Sequence, residues 1–437
     1  MASTLLYTRG RSVSIWEKML LWYFPLCLMY VLLGMRGIDT HLILPLQAFI
    51  FVYGILAFLG KEGQKDYKIL VAFFMFYSLF SICWVESQLL DGFINDARVV
   101  VLPMFAIFIG MSNNSDKLYK VFIYVVVISM IIGLFLYFVQ PAWFIERMVE
   151  KWNEAWYSEG GATEDNILSG RYAWASRFSA IYGTPYGVSY FGTFALCLLT
   201  IDIYKKEENR LINKRWLQLF FFVILAVSVV LGQNRVAMVY LVLLALWGLF
   251  YGIRYKRPER KIFLKLMFGL LLIGFVVLIR FGDNDFVTMI KDTLIERFED
   301  THENGLHNTA RDNQISVTLN SWNNYIVGEG LGSRGGVVRS HGHPGVTDNG
   351  YVKLIVEQGV FGFILLLFLF IRSMLKAFKN RKVLYAEFFI LGYVLFAMIG
   401  ANPLGMEYDY MIIMWFAMGH IWNKQYIETC RIMGNHI

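Results

Sequence analysis

One stretch of the sequence, residues 334–362, concentrates side chains that can bind anions or move protons. Its first half is polar and glycine-rich and carries two arginines, two histidines and an aspartate: Arg334, Arg339, His341, His343 and Asp348. Arginine suits phosphate groups because its planar guanidinium binds them through paired hydrogen bonds. A histidine or a carboxylate can accept the proton of a hydroxyl group. The stretch therefore predicts a site that handles an anionic substrate.

These residues also have purely structural interpretations. Asp348 precedes a predicted helix and can cap it by accepting from the backbone N–H groups of Gly350 and Tyr351. Lys353 and Glu357 are four residues apart in the apolar second half of the stretch, so they can form an ion pair on one helix face. Histidines in a glycine-rich loop can simply face solvent. The residue types alone leave these alternatives open.

Composition indicates which elements must position this stretch. The chain has 437 residues, of which 57% are hydrophobic and 17% charged, and its apolar residues come in long runs. Because a helix needs about 20 apolar residues to cross a bilayer, the sequence predicts a polytopic membrane protein. The net charge of +7 follows from Lys and Arg in cytoplasmic loops and does not indicate nucleic-acid binding. The four cysteines lie outside the long loops, which excludes a disulfide framework there.

We predict an all-α membrane protein with about 12 transmembrane helices. The predicted spans are 19–35, 42–59, 68–84, 97–111, 118–139, 186–204, 216–232, 235–253, 262–281, 349–371, 384–401 and 408–423. Most basic residues then lie in segments on one side, which places both termini in the cytoplasm. This divides the chain into helices 1–5 (1–139), a first outer loop (140–185), helices 6–9 (186–281), a second outer loop (282–347), helices 10–12 (348–423) and a cytoplasmic tail (424–437).

Both long outer loops begin with an amphipathic pattern. The first carries a face of large apolar residues, Trp143, Phe144, Met148, Trp152 and Trp156, which predicts a helix lying on the membrane surface. The second repeats apolar residues every four positions, at Phe286, Ile290, Leu294 and Phe298, and then at Ile315, Leu319, Trp322 and Ile326. The sequence GEGLGSRGG that follows is too rich in glycine to remain helical.

Arginines gather at the predicted outer membrane edge. Arg98, Arg235 and Arg280 lie at the ends of spans, Arg177 lies just before one, and Arg311 lies in the second outer loop. A single arginine at this position can simply extend its side chain to the headgroups. Several on one side predict a basic cavity for a lipid-linked pyrophosphate, because charges at the membrane edge are costly and usually functional. Arg177, Arg235 and Arg311 are the first candidates to bind it.

Three motifs give the chain a resemblance to a known family. They are NRVAM at 234–238, RDNQISVTLNSWNNYIVGEGLGS at 311–333, and TDNGYVKLIVEQGVFG at 347–362. Together with RFSAIYGTPYG at 177–187, the span count and the two long outer loops, they resemble the superfamily of O-antigen polymerases and O-antigen ligases. The order and spacing of the motifs carry the resemblance, because each motif alone is weak.

The resemblance implies a metal-independent inverting glycosyltransferase of the GT-C type that uses polyprenyl-pyrophosphate glycans at the outer face of the bacterial inner membrane. It implies no cofactor and no metal. Ligases of this family typically have His-Asn where this chain has Asp348 and Asn349, and this difference favours a polymerase over a ligase. The general base then stays open among Asp348, His341, His343 and Glu357.

The predicted reaction joins two lipid-linked oligosaccharides, one as donor and one as acceptor. The protein must hold the leaving pyrophosphate, neutralise its charge and orient the acceptor hydroxyl. The predicted substrate-binding residues are Arg177, Arg235, Arg311, Arg339, Asn349 and Tyr351. Membrane lipids, a chain-length regulator and a flippase are further expected partners, and nucleic acid is not.

Two other functions fit parts of the sequence. An O-antigen ligase would transfer the glycan to a lipid A-core acceptor. A transporter or flippase for lipid-linked glycans would share the span count and the basic cytoplasmic loops. Transporters of that kind carry internal repeats and polar residues near the midplane of the bilayer, whereas the polar residues here gather outside the predicted spans.

Overall fold

The computed structural model describes residues 14–38, 42–86, 89–113, 116–139, 141–147, 178–182, 185–259, 261, 263–265, 316, 320, 322, 324–334, 349–405 and 409–432. Within these residues the secondary structure is entirely helical, which confirms the predicted all-α class. The α-helices, numbered in chain order within the described ranges, are α1 Ile15–Met35, α2 Ile43–Leu59, α3 Lys65–Phe80, α4 Leu90–Asp96, α5 Phe105–Ser112, α6 Asp116–Val139, α7 Pro185–Asp202, α8 Arg215–Leu231, α9 Arg235–Arg254, α10 Gly350–Lys379, α11 Arg381–Ala397, α12 Ile412–His420 and α13 Lys424–Ile432.

Six helical segments in the described ranges are long and apolar enough to cross a bilayer: Ile15–Met35, Lys65–Cys83, Leu90–Ser112, Asp116–Val139, Arg235–Arg254 and Gly350–Lys379. Three shorter apolar helices, Ile43–Leu59, Tyr186–Asp202 and Arg215–Leu231, accompany them. The chain is thus a multi-pass membrane protein, as predicted. The count of twelve stays a prediction, because most of the predicted span 262–281 lies outside the described residues.

The centre of the bundle is held by close contact between α5 and α12. A Cβ atom added to Gly110 would collide with the carbonyl oxygen of Phe416, and one added to Gly419 would collide with that of Ile107. Every residue of α12 is buried. Small residues let the backbones of membrane helices approach in this way, so α12 forms a core around which the other helices pack.

The segment from α4 to α5 is irregular in its middle. A π turn, Ala97–Val101, and a 3-10 turn, Leu102–Met104, separate the two α-helices. Pro103 lies in the 3-10 turn and has no N–H group to donate, which interrupts regular helical bonding there. Asp96 is the last residue before the π turn, and its carboxylate belongs to the site described below.

Segments between helices that are predicted to lie on the same side of the membrane make polar contacts with one another. At one end of the bundle, Asn423 Nδ2 donates to the carbonyl oxygen of Asn113 (2.9 Å). Asn113 lies in a predicted cytoplasmic loop, and Asn423 is the last residue of a predicted span that ends on the cytoplasmic side. At the other end, the backbone N–H of Leu331 donates to Ser81 Oγ (3.0 Å). We call the end of the bundle that contains Ser81 and Leu331 the outer end, in line with the predicted topology. That topology stays a prediction.

The first outer loop begins with a helical turn at 142–147. The Arg36 guanidinium lies 3.8 Å above the Trp143 ring, which attaches this turn to the end of α1. Phe144 and Ile145 are buried, so the apolar face packs on the protein here. Met148, Trp152, Trp156 and most of the predicted helices of the second outer loop lie outside the described residues.

Candidate functional site

Helix α10 begins at the outer end of the bundle and is capped by Asn349. Asn349 Oδ1 accepts from the N–H of Tyr351 (3.0 Å) and from the next amide (3.1 Å). The N–H of Gly350 donates to two carbonyl oxygens at and beyond the end of α11 (2.9 and 3.1 Å). The cap in the described structure is therefore Asn349, one residue after the predicted Asp348. Asp348 itself lies outside the described residues.

Helix α10 is broken at Gly359, whose φ of 66° and ψ of 176° are not helical. The segment 324–334, in the later part of the second outer loop, bonds to the backbone at this break. The N–H groups of Glu329 and Gly330 donate to the carbonyl oxygens of Val356 and Glu357, each at 2.9 Å. A broken helix leaves carbonyl groups without helical partners. Here the backbone N–H groups of the loop donate to those carbonyl groups instead.

Glycines make this docking possible. Gly328 has a φ of 78°, and a Cβ atom there would collide with the carbonyl oxygen of Glu357. A Cβ atom on Gly359 would collide with the carbonyl oxygen of Ile326. Both positions need positive φ and close backbone approach, which only glycine provides at low cost. The expectation that GEGLGS leaves the helical conformation is confirmed, and the reason is contact with α10.

Three charged side chains meet beneath the docked segment. Lys353 Nζ lies 2.7 Å from Asp96 Oδ2 and 3.6 Å from Glu357 Oε1, and all three side chains are buried. The predicted ion pair of Lys353 and Glu357 is confirmed, but the closer partner of Lys353 is Asp96 on α4. Buried charges persist only when they are paired, so this triad joins α4 to the start of α10.

The docked segment adds two more charges. The N–H of Arg334 donates to Glu357 Oε1 (3.0 Å). The Arg334 guanidinium binds both carboxylate oxygens of Glu329, at 2.8 and 2.9 Å. We call Asp96, Glu329, Arg334, Lys353 and Glu357 the outer cluster. It fastens the later part of the second outer loop to the membrane bundle.

Arg235 lies on another part of the outer end. It is the first residue of α9, it is exposed, and Asn234 caps the helix by accepting from the N–H of Ala237 (3.2 Å). The N–H of Phe178, in the last part of the first outer loop, donates to the carbonyl oxygen of Leu231 (3.0 Å). The chain neighbour of Arg177 is therefore bonded near the turn that carries Arg235.

The structure brings together only some of the residues predicted from sequence. Glu357, Asn349 and Tyr351 share the first turns of α10, where the Tyr351 hydroxyl donates to the carbonyl oxygen of Leu395 (2.6 Å). No contact within the described ranges joins Arg235 to the outer cluster. The remaining candidates lie outside the described residues: Arg177, Arg311, Arg339, His341, His343 and Asp348.

Sequence reasoning missed Asp96, although a signal for it existed. An acidic residue at the edge of an apolar segment is costly in the same way as an arginine there. Asp96 lies two residues before Arg98, one of the arginines at the predicted outer membrane edge. Glu329 was also missed, because a carboxylate inside a glycine-rich segment carries no pattern of its own.

The fold and this site define a multi-pass helical membrane protein with a buried charge cluster at one end, joined to a long loop. Residues 220–367 match the family model described as O-antigen ligase. The match includes Arg235, the docked segment and the start of α10, and it confirms the resemblance to the O-antigen polymerase and ligase superfamily. It supports a glycosyltransferase-like enzyme of surface polysaccharide biosynthesis that acts on lipid-linked oligosaccharides. No curated protein matches the chain.

Proposed function

We propose that the protein polymerises polyprenyl-pyrophosphate-linked oligosaccharide repeat units into O-antigen or a related surface polysaccharide. The reaction takes place at the outer face of the bacterial inner membrane. The observation that carries the proposal is the outer cluster, which lies mostly within the family match and fastens residues 324–334 to the bundle. This arrangement holds both ends of segment 335–348, which contains most of the predicted proton-transfer groups.

In the proposed reaction, a hydroxyl of the acceptor sugar attacks the anomeric carbon of the donor. The bond from that carbon to the pyrophosphate breaks, and the configuration inverts. Arg177, Arg235 and Arg311, assisted by Arg339, neutralise the leaving pyrophosphate without a divalent ion. The proton of the acceptor hydroxyl passes to a general base.

The contacts of Glu357 support a positioning role for it. Its carboxylate accepts from the N–H of Arg334 at 3.0 Å and lies 3.6 Å from Lys353 Nζ. This carboxylate already holds a loop amide and lies beside an ammonium group, and both contacts fit a residue that positions the loop. We therefore assign the base to the segment with His341, His343 and Asp348.

A ligase is the second candidate, since the matching family model is described as O-antigen ligase. A ligase would transfer finished glycan to a lipid A-core acceptor. The Asp-Asn pair at 348–349, where ligases of the family typically have His-Asn, favours the polymerase.

The product profile of cells that lack the protein tests this choice. For a polymerase, the final lipid acceptor should carry single repeat units. For a ligase, that acceptor should carry no glycan, and long polymer should accumulate on the polyprenyl carrier. An unchanged profile would exclude both activities.

Substitution of Arg235 tests pyrophosphate binding. Arg235→Ala should lower the polymerisation rate about a hundred- to thousandfold, the usual effect of removing one preorganised charge-stabilising donor. Arg235→Lys should recover little if the binding is bidentate. Arg254→Ala, at the other end of α9, is the matched control and should leave the rate unchanged. Equal rates for all three variants and the unmodified protein would remove Arg235 from the site.

Thiol labelling tests the orientation. With the exposed Cys83 replaced, a cysteine at the exposed Tyr325 should react with an impermeant reagent from outside the inner membrane. A cysteine at the exposed Lys206 should not react. The reverse pattern would place the outer cluster in the cytoplasm and contradict the proposed reaction.

A further inference from the structure

A small cavity lies beside the outer cluster, between α3, α10 and the docked segment. Its polar wall is formed by Ser78, Lys353, Glu357, Gln358 and Asn402, and apolar side chains complete it. Gly350, the first residue of α10, also lines it. The cavity thus lies directly below the N-terminus of the helix that follows the predicted catalytic segment.

Two buried polar side chains on this wall lack hydrogen bonds. Gln358 is only 1% exposed, and neither its Nε2 nor its Oε1 has a partner in the described part of the chain. Ser78, also 1% exposed, likewise has no partner for its Oγ among the residues described. Buried amides and hydroxyls are almost always hydrogen-bonded, because leaving them unpaired is costly. A group that enters the cavity would satisfy them.

The chemistry of the wall selects the kind of group. The amide of Gln358 offers one acceptor and two donors, and the hydroxyl of Ser78 offers both functions. The ammonium group of Lys353 opposes a cation, and the carboxylate of Glu357 opposes an anion. A neutral O–H group, which both donates and accepts, fits all of these neighbours.

We propose that this cavity is a hydroxyl-binding site in which Gln358 and Ser78 bind an O–H group next to Glu357. The hydroxyl comes either from water or from the acceptor sugar. Binding of a hydroxyl from the acceptor sugar rests on the proposed function, whereas binding of a water molecule does not.

Whether a substitution in the cavity wall raises or lowers the unfolding temperature tests whether a hydroxyl group occupies the cavity. Gln358→Met keeps the length of the side chain and removes its hydrogen-bonding groups. If a hydroxyl occupies the site, the variant should lower the unfolding temperature of the purified protein by about 2 °C or more, because it breaks real hydrogen bonds. If the cavity is empty, the variant removes an unpaired buried amide, and the unfolding temperature should rise. A rise would overturn the proposal.

Gln218→Met is the matched control. Gln218 is buried, and its Nε2 donates to Asp202 Oδ2 at 2.7 Å, so the same substitution there must lower the unfolding temperature. Ser78→Ala provides a second reading if Gln358→Met fails to fold. A lower unfolding temperature supports an occupied site, and an unchanged or higher one contradicts it.

Kinetics with a lipid-linked repeat unit distinguish the two sources. If the acceptor hydroxyl enters the cavity, Gln358→Met should raise the KM for the acceptor about tenfold or more and change kcat much less. If the occupant is water, the KM should stay the same while the stability loss remains. A purified protein that makes no polymer at all would contradict the proposed function, and the stability test would still decide whether the site is occupied.

Discussion

Two buried carboxylates, one at each end of the bundle, have very different surroundings. At the outer end, Glu357 contacts Lys353 and a backbone amide of the second outer loop. At the other end, Glu387 on α11 lies 2.8 Å from His420 Nδ1 and 3.1 Å from the Tyr119 hydroxyl. We call Glu387, His420 and Tyr119 the inner cluster.

The difference shows that buried charge alone does not identify a functional site. The inner cluster joins three helices, α6, α11 and α12, through side chains only, and it lies outside the region that matches the O-antigen ligase family. The outer cluster joins helices to a loop, borders a cavity and accompanies a broken helix. These features attach part of the second outer loop to the helix bundle, and the proposed reaction of a lipid-linked substrate requires such an attachment. The inner cluster needs only a structural explanation.

The largest effect is expected from Lys353→Met. This change leaves Asp96 and Glu357 buried without their cation, which typically costs about 3–5 kcal/mol. The unfolding temperature should fall strongly, and polymer should disappear. Lys379→Met, a change of an exposed lysine on the same helix, should alter neither property. A stable and active Lys353→Met protein would mean that the outer cluster has no role in the fold or in the reaction.

Gly359→Ala tests the loop docking rather than the charges. The backbone there adopts a conformation that is essentially restricted to glycine, and the added Cβ would collide with a carbonyl oxygen of the docked segment. The cost should be about 1–3 kcal/mol, with loss of activity in the protein that still folds. Gly34→Ala, in α1, has nothing within 4 Å of the added atom and should be harmless. Normal activity of the Gly359→Ala protein would mean that docking of segment 324–334 on α10 is not needed for catalysis.

Glu387→Gln tests the inner cluster. The amide oxygen can still accept from Tyr119, but the charge beside His420 is lost, which should cost about 1.5 kcal/mol. The amount of folded protein should fall slightly, and the activity per folded molecule should not change. If that specific activity falls while the thermal stability is retained, the inner cluster takes part in function and the distinction drawn between the two ends is wrong.

The smallest effect is expected from Asn349→Ala. Loss of the helix cap should cost about 1 kcal/mol. Asn349→Asp keeps the cap, since aspartate is an equally good cap. It loses the exposed bond that Asn349 Nδ2 donates to the carbonyl oxygen of Ile399 (3.1 Å), so the variant should remain folded. If Asn349 also binds substrate, as the family resemblance implies, the aspartate variant should be stable and less active. Full activity of a stable Asn349→Asp protein would limit this residue to capping.

Much of the fold could be predicted from the sequence because apolar runs report membrane helices directly. Described helices overlap eleven of the twelve predicted spans, and the remaining span, 262–281, lies mostly outside the described residues. Helices α4 and α13 lie outside every predicted span. The pairing of Lys353 with Glu357 was also predictable, because residues four apart on a helix face each other.

The rest of the site depends on tertiary packing. Asp96 and Lys353 are 257 positions apart, so their contact requires that α4 and α10 pack side by side. Asp348 and Asn349 are both good caps, and only the backbone geometry decides between them. The break at Gly359 is invisible in an apolar run, because it depends on a loop that supplies hydrogen bonds from outside the helix.

The anchoring of residues 334 and 349 has a consequence for how the protein can vary. Residue 334 is bonded to Glu357, and residue 349 caps the same helix, so the anchor points are about 12 Å apart along its axis. The two ends of the chain between these residues are held by these bonds. Doubling the length of such a loop raises the free-energy cost of closing it by only about 0.6 kcal/mol. The bonds of residues 334 and 349 therefore keep both anchor points in place when the length of the chain between them changes. Substrate preference and membrane stability can then evolve almost independently.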